Sequence, residues 1–195
     1  DCIGREKLEL LAARNWPELW LELGVQSCHD ATLSRIHRGH DAKASEQAIL
    51  LAAEYGIKVC AHLMAGLPGE RGGDFLESVR WLAGLPVAGV KLHGLYICRN
   101  TALESEWRQG LYLPLEQEEY ALLTARALTL IPSTVVIHRL TGDPSPGELV
   151  APEWALQKGQ TVRTIDAIME MNDWWQGKYA DCPDANPWAE LSAPR

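Results

Sequence analysis

The chain has 195 residues, of which 47% are hydrophobic and 23% charged, and its formal net charge is −8. These proportions are ordinary for a globular protein and predict one main folded unit. The acidic balance argues against general nucleic-acid binding, because proteins of that class present a broad basic surface. No run approaches the roughly eighteen apolar residues that cross a membrane, and no secretory leader is visible, so a cytoplasmic protein without a membrane span is predicted.

Three apolar strands alternate with helices in the first half of the sequence. The strands are predicted over 19–25, 57–64 and 87–93. Helical periodicity follows Asp30, Asp41 and a capping box formed by Asp74 and Glu77, and Gly56 stands where a left-handed residue ends a helix. Apolar strands joined by helices are typical of a parallel sheet with right-handed crossovers. The predicted fold class is therefore α/β.

Beyond residue 100 the pattern changes to helices with one more strand. Thr101 and Glu104 form a capping box for a short helix, and an acidic run opens a longer helix that Pro132 ends. The β-branched run 134–137 predicts a further strand, and a last helix is predicted over 161–171. Together these elements predict an extension that follows the α/β part.

The cysteines are dispersed along the chain. They stand at positions 2, 28, 60, 98 and 182. No two of them form a Cys-x-x-Cys pair, so no zinc or iron–sulfur site is predicted from local spacing. Cys60 and Cys98 are expected to pack as small hydrophobic residues.

Polar residues follow the predicted strands where a barrel enzyme would place its ligand-binding groups. Gln26 and Ser27 follow the first strand, and Arg38 lies in a basic loop twelve residues after Gln26. The second strand carries His62 and leads into a glycine-rich loop at 66–70. Arginine can bind a carboxylate at two points, glutamine can donate and accept, and glycine permits close backbone approach.

These segments resemble the radical S-adenosylmethionine (SAM) superfamily. The strand 22–27 has the pattern Glu-x-Gly-x-Gln-Ser, the loop 38–40 reads Arg-Gly-His, and the loop 66–70 reads Gly-Leu-Pro-Gly-Glu. Four later segments, at 91–93, 138–143, 151–156 and 175–178, are similar to the YhcC-like family within that superfamily. The resemblance spans about residues 19 to 179.

The resemblance implies a fold and a reaction. The implied fold is an incomplete (β/α)₆ barrel of parallel strands over 1–100, a C-terminal extension of helices and strand over 101–179, and a weakly ordered tail over 180–195. The implied cofactors are S-adenosyl-L-methionine and a [4Fe-4S] cluster. In this superfamily the cluster donates an electron that cleaves SAM, and the resulting 5′-deoxyadenosyl radical takes hydrogen from a substrate, which here is unknown.

The resemblance also assigns roles to particular residues. Those expected to bind the cofactor are Gln26, Arg38, His62, Met64, Gly66 and Leu95. Arg38 would contact the SAM carboxylate and His62 would lie near the ribose, with the adenine contacted by Met64, Gly66 and the backbone of Leu95. The residues expected on the substrate side are His93, His138 and Arg139.

The sequence departs from the superfamily in two respects, since it has neither a Cys-x₃-Cys-x₂-Cys motif nor the glycine-rich segment that holds the SAM amino group in that superfamily. We interpret the chain as the C-terminal part of a longer enzyme, inactive alone and with an open sheet edge at 19–25. A non-catalytic α/β binding module is the alternative, and a phosphate-binding barrel enzyme of aldolase or isomerase type is a third. Arg38 could instead belong to a solvated basic face, and His62 could be a satisfied core residue.

Overall fold

A computed structural model describes residues 3–14, 16–145 and 147–182. The helices are α1 (Arg5–Ala12), α2 (Asp30–Arg35), α3 (Ala42–Glu54), α4 (Gly72–Ala83), α5 (Ala102–Arg108), α6 (Gln117–Leu130) and α7 (Lys158–Met171). The strands are β1 (Trp20–Gln26), β2 (Lys58–Ala65), β3 (Gly89–Gly94), β4 (Ile97–Cys98), β5 (Val136–Arg139) and β6 (Leu149–Ala151). A 3-10 turn spans Glu153–Leu156. The strand–helix alternation in this order confirms the α/β class.

The main sheet has four parallel strands in the order β1-β2-β3-β5. Alternate residues of β2 are fully buried, because α3, α4 and α6 cover one face of the sheet. The opposite face carries no helix of its own among the described elements and includes polar side chains. Within the described residues β1 pairs only with β2, so the predicted open edge is present.

A buried tyrosine fixes α6 against the end of the sheet. Tyr120 is fully buried, and its hydroxyl lies 3.1 Å from the Leu92 carbonyl oxygen and 2.9 Å from that of Leu140. The hydroxyl has one proton to donate, so the two carbonyls compete for it. This contact ties the end of β3 to the segment after β5 and holds the carboxyl end of the sheet in place.

A second, two-stranded sheet was not expected from the sequence. β4 and β6 are antiparallel and pack around Ile97, Tyr112 and Ala151. Strands of two and three residues are too short to show an alternating pattern, which explains why they escape prediction.

Two local predictions need correction. Asp74 is the third residue of α4 and not its cap, since its carboxylate accepts a hydrogen bond from the Arg71 backbone N–H at 2.6 Å. The strand predicted over 134–137 begins two residues later, because the turn after α6 extends to Val135, whose N–H donates to the Pro132 carbonyl. Residues 183–195 of the predicted tail lie outside the described part of the chain.

Asp41 caps α3, and its removal should destabilise the fold. Its carboxylate accepts a hydrogen bond from the Ala44 N–H at 2.7 Å. Asp41→Ala is expected to lower the free energy of unfolding by ~1 kcal/mol, whereas Asp41→Asn retains the acceptor and should lose much less. Urea titration of both variants measures the difference. Equal stability of the two variants would show that the cap does not contribute.

Candidate functional site

The polar face of the sheet gathers ionisable side chains from three neighbouring strands. We call this surface, formed by the face of β1, β2, β3 and β5 opposite the helices, the open face. Glu22, His62, Lys91 and His93 lie on it at alternating strand positions. The register sets Gly24 beside His62 and His62 beside Lys91. In parallel strands such neighbours point in the same direction, so these side chains meet.

A salt bridge connects β1 to β3 across the open face. The Lys91 ammonium donates a hydrogen bond to Glu22 Oε1 at 2.5 Å, and the lysine side chain is only 13% exposed. The hydrogen bond from Lys91 lowers the pKa of Glu22. Glu22 Oε2 lies 3.3 Å from His62 Nε2, which is buried and is not within hydrogen-bond geometry of any described group. The carboxylate is therefore held mainly by the lysine.

Two imidazole rings stack beside this pair. The centroids of His62 and His93 are 5.5 Å apart and their planes are 29° from parallel. Burial, followed by the charges of His62, Arg139 and Lys91, lowers the pKa of His93 to about 4. Burial and the Lys91 charge also lower the pKa of His62. His93 is therefore neutral at physiological pH, with one nitrogen able to donate and the other able to accept.

Gly24 is the point at which two predicted cofactor residues converge. Arg38 donates to the Gly24 carbonyl oxygen from Nε at 3.0 Å and also from Nη2. A Cβ on Gly24 would lie 2.7 Å from Arg38 Nη2 and 2.9 Å from Gln26 Nε2. Glycine therefore lets both side-chain ends occupy these positions. Gln26 itself has a φ of 72°, next to a break in the β1–β2 register, which turns it away from the regular strand direction.

The register between β1 and β2 also places a residue of β2 beside Gly24. His62 lies beside Gly24, so Gln26, Arg38 and His62 are grouped near the carboxyl end of β1 and β2. A cleft of about 190 Å³ runs along the free edge of β1 and is lined by Arg38, Gly24 and Ser45 among others. That volume is below the ~300–1,000 Å³ of typical ligand pockets, so these walls enclose only part of a ligand the size of SAM. The binding roles of the three residues stay predictions.

The three residues predicted to contact adenine do not share one environment. Met64 lies beside His93 on the open face. Gly66 has a φ of 80°, and a Cβ there would lie 3.0 Å from the Leu115 side chain, so protein atoms occupy the space beside it. The Leu95 N–H donates to the Ala65 carbonyl at 2.9 Å, which leaves the Leu95 carbonyl as the backbone group for a purine.

The three residues predicted on the substrate side separate into two places. His93 and Arg139 lie close enough for the Arg139 charge to lower the pKa of His93. His138 instead packs edge-on against Trp20 at 4.7 Å, and a Cβ on Gly89 would touch its ring. Trp20 and Gly89 begin their strands, so His138 lies toward the amino-terminal end of the sheet.

Sequence reasoning missed a buried polar network behind the carboxyl end of the sheet. The Ser27 hydroxyl donates to Glu70 Oε1 at 2.5 Å and lies 3.5 Å from the Ser78 hydroxyl. Ser78 Oγ accepts from the Cys28 N–H at 3.0 Å. Burial raises the pKa of Glu70. The network ties the loop after β2 to the tip of β1, and the single acid in a Gly-Pro-rich loop, Glu70, is the sequence signal that could have indicated it.

The cysteines do not converge on a cluster site. Cys28, Cys60, Cys98 and Cys182 are all free thiols, and Cys60 is buried while Cys98 is partly exposed. In the described residues the one group of three potential metal ligands is His29, Asp74 and Glu77, which contains no cysteine. Nothing in the described part of the chain fits a [4Fe-4S] cluster.

Comparison with known proteins identifies the family of the chain. The model of the radical SAM superfamily matches residues 2–82, and that of the radical SAM C-terminal domain matches residues 87–171. The chain belongs to the radical SAM superfamily. The resemblance predicted from the strand and loop motifs is thereby confirmed.

Two curated relatives of this radical SAM chain match along most of its length. It is 35% identical over 180 residues to Uncharacterized protein MJ0486 of Methanocaldococcus jannaschii, covering 91% of this chain and 56% of the relative. It is 36% identical over 171 residues to Protein YhcC of Escherichia coli, covering 87% of this chain and 55% of the relative. The chain thus spans about half the length of these relatives.

A solved structure shares the fold of this radical SAM chain. It is the archaeal Methanocaldococcus infernus Elp3 with an N-terminal deletion, which superposes with a TM-score of 0.73 at 21% sequence identity. The match covers 89% of this chain and 40% of the other. This likeness confirms the partial radical-SAM-type barrel with its extension. Among the described residues, no helix is long and apolar enough to cross a membrane.

Proposed function

We propose that the protein containing these residues is a cytoplasmic radical SAM enzyme that acts on a substrate still to be identified. S-adenosylmethionine, when bound and reduced by one electron from a [4Fe-4S] cluster, supplies a 5′-deoxyadenosyl radical and releases methionine. The proposal rests on membership of the superfamily together with the side chains grouped around Gly24. Within the structure, this grouping is the single observation that carries it.

The residues around Gly24 have the chemistry that the SAM amino-acid group requires. Arginine has five N–H donors. Two of the five Arg38 donors are engaged by the Gly24 carbonyl, so three remain for a carboxylate. Gln26 can both donate and accept, and the unsatisfied Nε2 of His62 suits a ribose hydroxyl. Met64, Gly66 and the Leu95 carbonyl are the groups proposed to contact adenine.

The cluster ligands are proposed to come from outside these 195 residues, since the sequence has no three-cysteine motif. The 195-residue chain alone should therefore retain iron only at background level after anaerobic treatment with iron and sulfide. Metal analysis of the desalted chain measures this. Retention of about four irons per chain, the content of a [4Fe-4S] cluster, would contradict the proposed origin of the ligands.

The decisive experiment uses the full-length protein. Anaerobic reconstitution followed by chemical reduction in the presence of SAM should yield 5′-deoxyadenosine and methionine in equal amounts. Absence of both products from a protein with a filled cluster would overturn the proposal. Unreduced protein serves as the control, because cleavage needs the donated electron.

A non-catalytic α/β binding module is the second candidate, and the absent three-cysteine motif is the observation that favours it. The coding sequence upstream of Asp1 discriminates between the two. A Cys-x₃-Cys-x₂-Cys-type run there supports the enzyme, and a complete reading frame without one supports the module.

A further inference from the structure

We propose that the open face binds an oxyanion group of the substrate, a phosphate or a carboxylate, through Arg139 and the imidazole of His93. This inference rests on the proposed function, because it takes the open face as the place where the substrate lies. It names the substrate class that the face would select.

The charges on the open face leave one cation without a counter-ion. Lys91 is paired with Glu22 at 2.5 Å. Arg139 stands beside Lys91 in the β3–β5 register, is exposed, and makes no ion pair within the described residues. Asp143, the acid next along the chain, is already paired with Lys158. The guanidinium is therefore available to an external anion.

A buried nitrogen atom of His93 lies on the same face without a partner. His93 Nε2 is shielded from solvent and forms no hydrogen bond with any described group, whereas Nε2 of the stacked His62 ring lies 3.3 Å from Glu22 Oε2. Buried polar atoms usually have partners, so the His93 nitrogen calls for an explanation. A neutral imidazole can carry its proton on Nε2 and donate it to an oxyanion. A bound oxyanion would satisfy this nitrogen.

The composition of the face favours an anion over a cation. Its one carboxylate, Glu22, lies between Lys91 at 2.5 Å and His62 at 3.3 Å, so a cationic ligand would meet Arg139 with no free acid to compensate. An oxyanion instead meets a planar guanidinium, whose fork of donors fits phosphate or carboxylate oxygens at two points. The face is thus suited to the anionic end of a substrate.

Nuclear magnetic resonance of the imidazole protons in the 195-residue chain tests the inference. Sodium phosphate, titrated at constant ionic strength and near-neutral pH, should shift the signals of His93 in a saturable way. Sodium acetate forms the second arm, and sodium chloride is the control. A stronger response to phosphate identifies a phosphate-bearing substrate, and a stronger response to acetate a carboxylate. Signals that move no more than in chloride would overturn the proposal.

Arg139→Gln should weaken the anion response about tenfold, since it removes a charge-assisted contact. The matched control is Arg163→Gln, an exposed arginine on α7, which should bind as the parent does. Unchanged anion affinity in Arg139→Gln with a native spectrum would also overturn the proposal. This experiment uses neither the cluster nor SAM. If the full-length protein fails to cleave SAM while the anion shifts are present, only the proposed function is refuted. If SAM is cleaved but the anion shifts are absent, only the oxyanion site is refuted.

Discussion

Replacing Arg38 with alanine is expected to weaken SAM binding roughly 10- to 160-fold, or by about 1.5–3 kcal/mol. The range is that of a hydrogen bond to a charged group, here the contact proposed between the guanidinium and the SAM carboxylate. Calorimetric titration of SAM into the reconstituted full-length protein measures the change. Affinity equal to that of the parent would remove Arg38 from the site.

Arg38 also has a structural partner, so the loss needs a control that separates the two roles. Gly24→Ala would place a Cβ where the ends of the Arg38 and Gln26 side chains lie, at 2.7 and 2.9 Å. Both ends are flexible, so they would move while the backbone of β1 stays. We expect Gly24→Ala to reduce SAM affinity as Arg38→Ala does and to change the free energy of unfolding by less than ~1 kcal/mol. Lost stability together with retained affinity would assign both residues a structural role alone.

The parallel sheet could be predicted because its strands are buried on the helix side and read as apolar runs. The strands predicted over 19–25 and 57–64 are found at Trp20–Gln26 and Lys58–Ala65. The glycine at 56 ends α3 with a φ of 66°, as expected for a left-handed C-terminal residue. Local signals of this kind depend on near neighbours in the sequence, so they are visible without the fold.

The open face could be predicted only in part. Alternation along a single strand indicates that Glu22 and Gly24 share a side, but the partner of Glu22 is Lys91, 69 residues away. Such a pair depends on the register between strands, and the register is set by the packing of the whole sheet. For the same reason His138 and Arg139, adjacent in sequence, were predicted together but extend toward opposite ends of the face.

Arg38 illustrates a second limit of sequence reasoning. The basic loop that contains it is also compatible with a solvated surface, although cofactor binding is the favoured interpretation. In the structure its side chain returns to the Gly24 carbonyl, 14 residues earlier, and so is partly buried. A long side chain can reach several backbone acceptors, and only the path of the chain between 24 and 38 decides which one it meets.

The stability of the fold is expected to fall as the pH is lowered from about 6.5 to 4. The pKa of His93 is about 4 in the folded protein against 6.5 for an ordinary histidine. Between these values the unfolded chain binds a proton that the folded chain does not, so acid favours unfolding. The full shift corresponds to about 3 kcal/mol, and solvent screening of the partly buried ring reduces the expected loss to ~1–2 kcal/mol. The lowered pKa of His62 acts in the same direction.

His93→Phe isolates this contribution, because phenylalanine keeps an aromatic ring against His62 and cannot titrate. The unfolding free energy of both proteins, measured by urea titration at about pH 7 and about pH 5, should fall less in the variant than in the parent. Glu70, whose pKa is raised by burial, opposes the loss in acid, but it is present in both proteins and cancels in the comparison. Equal pH dependence in the two proteins would mean that the His93 ring is as accessible to protons in the folded state as in the unfolded chain. The open face would then be more accessible to water than the unpartnered Nε2 of His93 indicates.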